Sequence, residues 1–418
     1  MASSPKIIVF DDDPTGSQTV RDCLLLLEFS TPNLAKALAD PSPLLFLLTN
    51  SRALDAEEVR IQLTLLCRRL RPLLDQLERP WLVVSRGDST LRGHTPLEHD
   101  VIRAELGPFH ASLLVPAFPE GGRTTVHGVH WLQGQPVHQT PFARDRRFGY
   151  LSSDLAEWLQ HKSAGLIAAE QVIRLSDATG LKRLQPGQWA VVDAQKPGDL
   201  QALGAALLQE LRQGRRHLCQ SAASLINGLA SMPSRLLQPA ELPAFSAGGV
   251  VLVGSHVPLA DQQLESLLAE PGCVGVEFDL QTRDAELSAL TAELESIRAQ
   301  GLTPVLFSTR GEKPGLTPLQ KRQLALQMAK VIAGLNSPLG YVISKGGTTS
   351  FTMLKYSLGC DQLRLLGQMR LGVSMLIPGR PHQRFNLLPV LTIPGNLGDT
   401  NLIKNCWHDM ESMRVNRF

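Results

Sequence analysis

The chain predicts an α/β protein of two domains, each built on a largely parallel sheet. Three observations carry this prediction. At 418 residues it exceeds the length of one typical domain. Short leucine-rich or β-branched runs bounded by turn residues alternate with longer helical patterns, as in strands joined by crossover helices. The stretch MPSRLLQPAELPAFSAGG, Met232–Gly249, rich in Pro, Ala and Gly, interrupts that alternation just before a new apolar run, VVLVGS. The first domain is therefore placed at 1–240 and the second at 248–418.

In chain order, strands are expected at Lys6–Phe10, Leu44–Thr49, Trp81–Ser85, Ser112–Pro116 and Trp189–Asp193. A later set follows at Val250–Gly254, Pro304–Ser308, Tyr341–Ser344, Ser374–Ile377 and Val390–Ile393. Between them, apolar residues recur at helical spacing over Ala56–Leu77, Leu200–Leu211, Leu259–Ala269, Ala285–Ala299 and Pro318–Leu335. Phe118–Phe148 has many Gly, His, Thr and Pro but little periodicity. It reads as an extended, loop-rich insertion that lines a site or wraps a neighbour.

Composition narrows the function classes. The chain is 43% hydrophobic and 19% charged, enough to bury sizeable cores. Its 41 basic and 39 acidic residues leave a net charge of +2, which gives no electrostatic case for nucleic acid or an anionic membrane as partner. Six cysteines are scattered without metal-binding spacing, as thiols of a reducing compartment would be. The opening MASSPKIIVF carries too short an apolar run for a signal peptide, and no run approaches a membrane span, so a cytoplasmic protein is expected.

Candidate chemistry begins at KIIVFDDDPTGSQTV, Lys6–Val20. Asp11, Asp12 and Asp13 end a predicted strand, at the sheet edge where open α/β folds bind ligands. Adjacent carboxylates disfavour each other's ionisation, so a metal, a reacting hydroxyl, a phosphorylated Asp or water must offset that cost. SRGDSTLRGH, Ser85–His94, follows another predicted strand. It supplies a carboxylate (Asp88), hydroxyls (Ser89, Thr90) and two guanidiniums (Arg86, Arg92). A guanidinium holds a carboxylate or phosphate through paired hydrogen bonds, as a small anionic, hydroxylated substrate requires. The later segment Val115–Asp145 offers Gly121–Gly122–Arg123–Thr124 to an anion, while His127, His130 and His138 are too irregularly spaced for zinc.

The second domain has three glycine-bearing strand ends: Gly254–Ser255–His256, Lys345–Gly346–Gly347–Thr348–Thr349–Ser350 and Pro394–Gly395–Asn396–Leu397–Gly398. Glycine lets backbone approach phosphate oxygens. One such turn means little; three in one domain point to a phosphate cradle. Neither GxxxxGK[ST] nor GxGxxG occurs.

Two family resemblances compete. Asp11-x-Asp13-x-Thr15 resembles the DxDxT nucleophile motif of haloacid dehalogenase-like phosphatases, with Thr49–Asn50–Ser51 imitating their strand-end phosphate site; the late acidic pair of that family is missing. The resemblance that runs nearly end to end is to the four-carbon acid sugar kinase family. Asp12–Asp13–Pro14–Thr15–Gly16 resembles its DDxTG and Asp88–Gly93 matches its DSTLRG. VPAFPEGGRTTVHGVHW resembles its PAF…GGR…T segment. Gly346–Ser350 resembles its GGxT[AS] loop, and Pro378–Gly379 with Pro394–Gly398 its PG and GN-x-G turns. Two positions depart: Arg86 stands where a Lys is common, and Ile393–Pro394 precedes the GN turn in place of a Lys or Ser.

This resemblance implies an ATP-dependent, Mg²⁺-assisted kinase of tetronate or 3-oxo-tetronate acids, with its active site in the cleft between an acid-binding N-terminal domain and an ATP-binding C-terminal domain. It implies acid contacts at Asp12, Asp13, Asp88, Ser89 and Arg92. Nucleotide contacts are implied at Ser255, Gly346, Gly347, Thr348, Gly395 and Asn396. Arg92 is expected to clamp the carboxylate, Asp88 and Ser89 to position hydroxyls, and Asp12 or Asp13 to take the proton. Which Asp is the base, and which residues hold the metal, stay open at this point. The alternatives are the phosphatase, with Asp11 as nucleophile, and a non-catalytic acid- and nucleotide-binding protein. The long Gly- and His-containing loop is available for the contacts of a homodimer.

Overall fold

The computed structural model describes residues 4–17, 19–232, 234–279, 281–310, 317–379 and 387–414. The chain divides between Ser234 and Arg235 into two units.

In the first unit the strands are β1 (Lys6–Asp11), β2 (Cys23–Leu26), β3 (Leu44–Leu48), β4 (Trp81–Arg86), β5 (Ser112–Val115), β6 (Arg123–Val126), β7 (Val129–Leu132), β8 (Gln135–Pro136), β9 (Ile173–Leu175), β10 (Trp189–Val192) and β11 (Leu218–Ser221). The helices are α1 (Thr31–Leu38), α2 (Ala56–Asp75), α3 (Leu97–Leu106), α4 (Leu155–Lys162), α5 (Pro197–Arg212) and α6 (Ala223–Ala230). Within this unit the main sheet runs β2-β3-β1-β4-β11-β5-β10-β9, every neighbour parallel. Its central strands are buried on both faces, which is why they read as unbroken apolar runs. One core lies where α2 and α3 cover the sheet with Leu63, Leu66, Leu70 and Ile102 against Ile8, Leu45 and Val83.

After β1 the chain builds β2 and β3 on one side, then crosses to place β4 on the other. The sheet's topological switch point is therefore at the carboxyl ends of β1 and β4, where such folds leave a crevice. DDD and SRGDSTLRG both emerge there.

Phe118–Phe148 is more ordered than its composition implied. β6, β7 and β8 form a small antiparallel sheet with two-residue turns at His127–Gly128 and Gln133–Gly134. All four turn residues have positive φ, the pattern whose twist matches a hairpin.

The second unit contains β12 (Val250–Val253), α7 (Pro258–Leu268), β13 (Cys273–Phe278), α8 (Leu287–Ala299), β14 (Thr303–Ser308), α9 (Pro318–Ala333), β15 (Val342–Lys345), α10 (Gly347–Thr352), β16 (Gln362–Arg370), β17 (Val373–Pro378), β18 (Val390–Ile393) and α11 (Leu402–Ser412). The order within it is β13-β14-β12-β15-β18-β17-β16. β13, β14, β12, β15 and β18 are parallel, and β17 and β16 add antiparallel to one side. Its switch point falls between β12 and β15, so Gly254–Ser255 and Gly346–Gly347 leave neighbouring strands at the same crevice.

All six cysteines are buried, and none is joined in a disulfide among the described residues. Among the described residues no helix is long and apolar enough to cross a membrane.

Candidate functional site

At the first switch point the acidic triplet divides into three different environments. Asp11 is the last residue of β1 and has no exposed surface. Burial, with Asp12 and Asp13 nearby, raises its pKa to about 7 despite Arg86 at 3.3 Å. Gly16 seals it in: a Cβ there would overlap the Asp11 carboxyl and the Arg86 guanidinium. Enclosed in this way, its carboxyl offers no approach to a phosphate group, which argues against Asp11 as the nucleophile of a phosphatase.

Asp12 is held by two guanidiniums. Arg52 donates from Nε and Nη2 to its two oxygens at 2.8 and 2.6 Å, and Arg86 Nη1 donates at 3.2 Å. Such a bidentate pair fixes both position and charge. Asp13, on the turn beyond, accepts from Thr15 Oγ1 at 2.5 Å and from Thr15 N at 2.9 Å, with Arg52 Nη1 at 3.6 Å. Burial works against its ionisation, but the Arg52 charge and the Thr15 hydrogen bonds prevail and hold it below the usual carboxylate range. Its side chain is 16% exposed against 2% for Asp12, so Asp13 is the more accessible of the pair.

Arg52 was not picked out in the sequence. It comes from the turn after β3, because β3 pairs beside β1 and Thr49 N and Oγ1 both donate to the Asp11 carbonyl. Thr49–Asn50–Ser51, read as the imitation of a phosphate site, serves here to aim Arg52. Glu98 is a second omission. It lies on α3 near Ser51 and Asp12, 5% exposed, with Oε1 lacking a partner among the described residues. Burial, together with Asp12, raises its pKa to about 8. Because this exceeds the ordinary 4.5, the neutral form favours folding; the contribution is full below 4.5 and is lost as pH rises through about 8. Glu98→Gln is therefore expected to gain melting temperature relative to wild type progressively across that window. A constant difference in thermal melts would contradict it.

The turn after β4 brings Asp88, Ser89 and Arg92 to the same crevice. Arg92 Nε donates to Asp88 Oδ2 at 2.6 Å, and the Thr90 hydroxyl donates to the same oxygen. Although burial opposes it, Arg92 and Arg52 hold the Asp88 carboxyl far below its ordinary pKa. The Arg92 guanidinium lies over the Phe142 ring, 4.9 Å from its centroid. With Nε occupied, its Nη edge is the part available to a ligand carboxylate. Buried His130 donates from Nε2 to the Ser89 carbonyl (2.8 Å) and accepts at Nδ1 from Thr125 Oγ1 (3.0 Å), and burial lowers its pKa to about 4. The small sheet thus braces the turn through a neutral imidazole. Arg86, standing where a Lys is common, faces inward to Asp11 and Asp12.

In the second unit Gly254, Ser255, Gly346, Gly347, Thr348 and Gly395 line one cavity of about 290 Å³. The glycines allow the three strand ends to close on one another. Gly346 has φ +109°, and a Cβ on Gly395 would lie 2.7 Å from Ser255 Oγ. Lys345 Nζ, which burial lowers to a pKa of about 7, donates to the Leu397 carbonyl at 3.3 Å. Gln263 Nε2 donates to the Leu397 and Asp399 carbonyls at 2.9 and 2.6 Å, so both residues hold the turn that presents Gly395. Asn396 is exposed and stands outside the cavity lining. The opposite wall, which the sequence reading missed, is α9: Lys321, Leu324, Ala325 and Met328. Their spacing puts a cation and an apolar stripe on one helical face.

Residues 7–229 match a family model described as a sugar-binding N-terminal domain, and residues 250–403 match one described as a nucleotide-binding C-terminal domain. A D-erythronate kinase of Heliobacterium modesticaldum is 28% identical over 210 residues, covering 47% of this chain and 47% of that protein, about half the length of each. A D-threonate kinase of Cupriavidus necator is 28% identical over 357 residues, 78% of this chain and 80% of that protein. A solved structure from Haemophilus influenzae, of family DUF1537, superposes with TM-score 0.66 at 16% identity, over 98% of this chain and 100% of that one, a likeness of fold.

Proposed function

Because the chain belongs to the four-carbon acid sugar kinase family, with its sugar-binding and nucleotide-binding domains in sequence, we propose that it transfers the γ-phosphate of ATP to a hydroxyl of a tetronate-type acid. The observation that carries this reading is the pair of switch-point crevices. One gathers carboxylates and guanidiniums suited to a hydroxylated anion; the other gathers glycine-rich turns facing an apolar helical wall. D-Threonate and D-erythronate, named for the relatives, are the first substrates to try.

In this reading the Nη edge of Arg92 binds the substrate carboxylate, while Asp88 and Ser89 orient its hydroxyls. Asp13, ionised and reachable, takes the proton of the attacking hydroxyl; Asp12 stays locked to Arg52 and fixes the geometry. Arg52 and Arg86 offset the charge that three adjacent carboxylates would otherwise carry. On the nucleotide side, Leu324, Ala325 and Met328 take the face of the base. Ser255, Gly346, Gly347, Thr348 and Gly395 meet the phosphates through backbone N–H groups and hydroxyls, and Asn396 reaches them only from the rim. Among the described residues no three His, Cys, Asp or Glu side chains gather as a metal cage. This fits Mg²⁺ arriving on the nucleotide, with phosphate oxygens and water as its main ligands. With six cysteines outside disulfides and a need for ATP, we infer a cytoplasmic enzyme.

The direct test is ADP release by purified protein across a panel of tetronates and 3-oxo-tetronates. Turnover with at least one acid, and none without acid, is expected; ATP and acid binding with no turnover would favour the non-catalytic alternative. Gly395→Ala should raise KM for ATP roughly tenfold, through contact with Ser255 Oγ, and leave KM for the acid unchanged. Equal shifts in both constants would remove Gly395 from the nucleotide site.

A further inference from the structure

We propose that a small cavity behind the Asp88–Arg92 turn is a single-oxygen site, taking one hydroxyl-type oxygen that accepts from Trp158 and donates to Gln220. The cavity measures about 20 Å³ and is walled by Gly87, Asp88, Arg92 and Thr95 from the turn, Trp158 from α4 and Gln220 from β11. Trp158 and Gln220 are 2% and 5% exposed, and neither the indole Nε1 nor the amide Oε1 has a hydrogen-bond partner among the described residues.

Buried polar atoms are nearly always satisfied, so two lining residues of one cavity that each carry an orphan atom call for a shared occupant. Their chemistry defines it. An indole N–H only donates and an amide oxygen only accepts, so the occupant must accept and donate at once. A carboxylate or phosphate oxygen cannot donate, and an ammonium cannot accept. An O–H oxygen does both. The volume agrees: it holds about one water and is far too small for a carbon skeleton. The amide is also held close to the turn, since a Cβ on Gly87 would lie only 2.8 Å from Gln220 Nε2.

The oxygen comes from one of two sources, an ordered water or a hydroxyl of the bound acid; only the second rests on the kinase reading. In either case it links α4 to β11, whose Gln220 lies against the turn carrying Asp88 and Arg92. Trp158 and Gln220 are then positioning residues for that turn, or contacts to the acid.

Crystals of the full chain, grown without ligand and then soaked with D-threonate, test this at a resolution that shows ordered water. One oxygen within about 2.7–3.2 Å of both Trp158 Nε1 and Gln220 Oε1 is expected in at least one of the two states. Density retained in both states identifies water, and density replaced by a sugar-acid oxygen identifies the substrate. A cavity empty in both states, or Trp158 and Gln220 satisfied by protein groups, overturns the proposal. If D-threonate does not bind, the substrate reading fails there, while the ligand-free density still decides the oxygen site.

Discussion

Arg52→Ala is expected to lower kcat/KM by about 10³ and to destabilise the first unit by about 3 kcal/mol. Arg52 donates two hydrogen bonds to Asp12 and lies 3.6 Å from Asp13. Its removal leaves a nearly inaccessible carboxylate with, among the described residues, only the Arg86 ion pair to offset it, at the end of a strand where Asp11 is already enclosed. Breaking a buried pair from one side costs far more than the pair contributes, because the surviving charge stays desolvated. Arg52→Lys should recover part of the stability and little of the rate, since an ammonium cannot reproduce the bidentate geometry. Steady-state kinetics with thermal melts check this. A variant as active as wild type would show that Asp12 needs no such anchor.

Asp13→Asn should reduce kcat by about 10²–10⁴ with little change in KM for either substrate. The amide keeps the size of the carboxyl and can still accept from Thr15, but it cannot take a proton. The matching change at Asp12 is expected to act differently: Asp12→Asn weakens the Arg52 pair and so should disturb stability and KM as well as kcat. Kinetic constants and melting temperatures of the two variants, side by side, separate the roles. A kcat loss confined to Asp12→Asn would move the base by one residue.

Much of this site could be read in the sequence because its chemistry sits on contiguous strand ends. β1 and β4 are apolar runs ended by DDD and SRGDST, and the glycine turns follow β12, β15 and β18. What escaped is mostly non-local. Arg52 becomes a partner of Asp12 only because β3 pairs beside β1. Glu98 sits on an ordinary amphipathic stretch, with nothing local to mark its approach to Ser51 and Asp12. Likewise, nothing in LCQS tells that β11 lies between β4 and β5, carrying Gln220 to the Asp88 turn.

Other omissions were local and legible. QLRLLGQMR buries Leu363 and Leu365 and leaves Arg364 between them half-exposed, the alternation that marks the start of β16. His127–Gly128 and Gln133–Gly134, each between short runs with strand propensity, are hairpin signals that a polar, irregular composition obscured. The Asp triplet shows the limit of spacing alone. DxDxT singles out Asp11 and Asp13, whereas burial behind Gly16 withdraws Asp11 and leaves Asp13 partly exposed.

The most direct test of the central claim is phosphorus NMR of the purified protein with ATP, Mg²⁺ and D-threonate or D-erythronate. The expected result is a new phosphomonoester resonance on the acid, growing in step with ADP, and no ATP loss when the acid is omitted. ADP accompanied only by inorganic phosphate, at the same rate with and without acid, would contradict it.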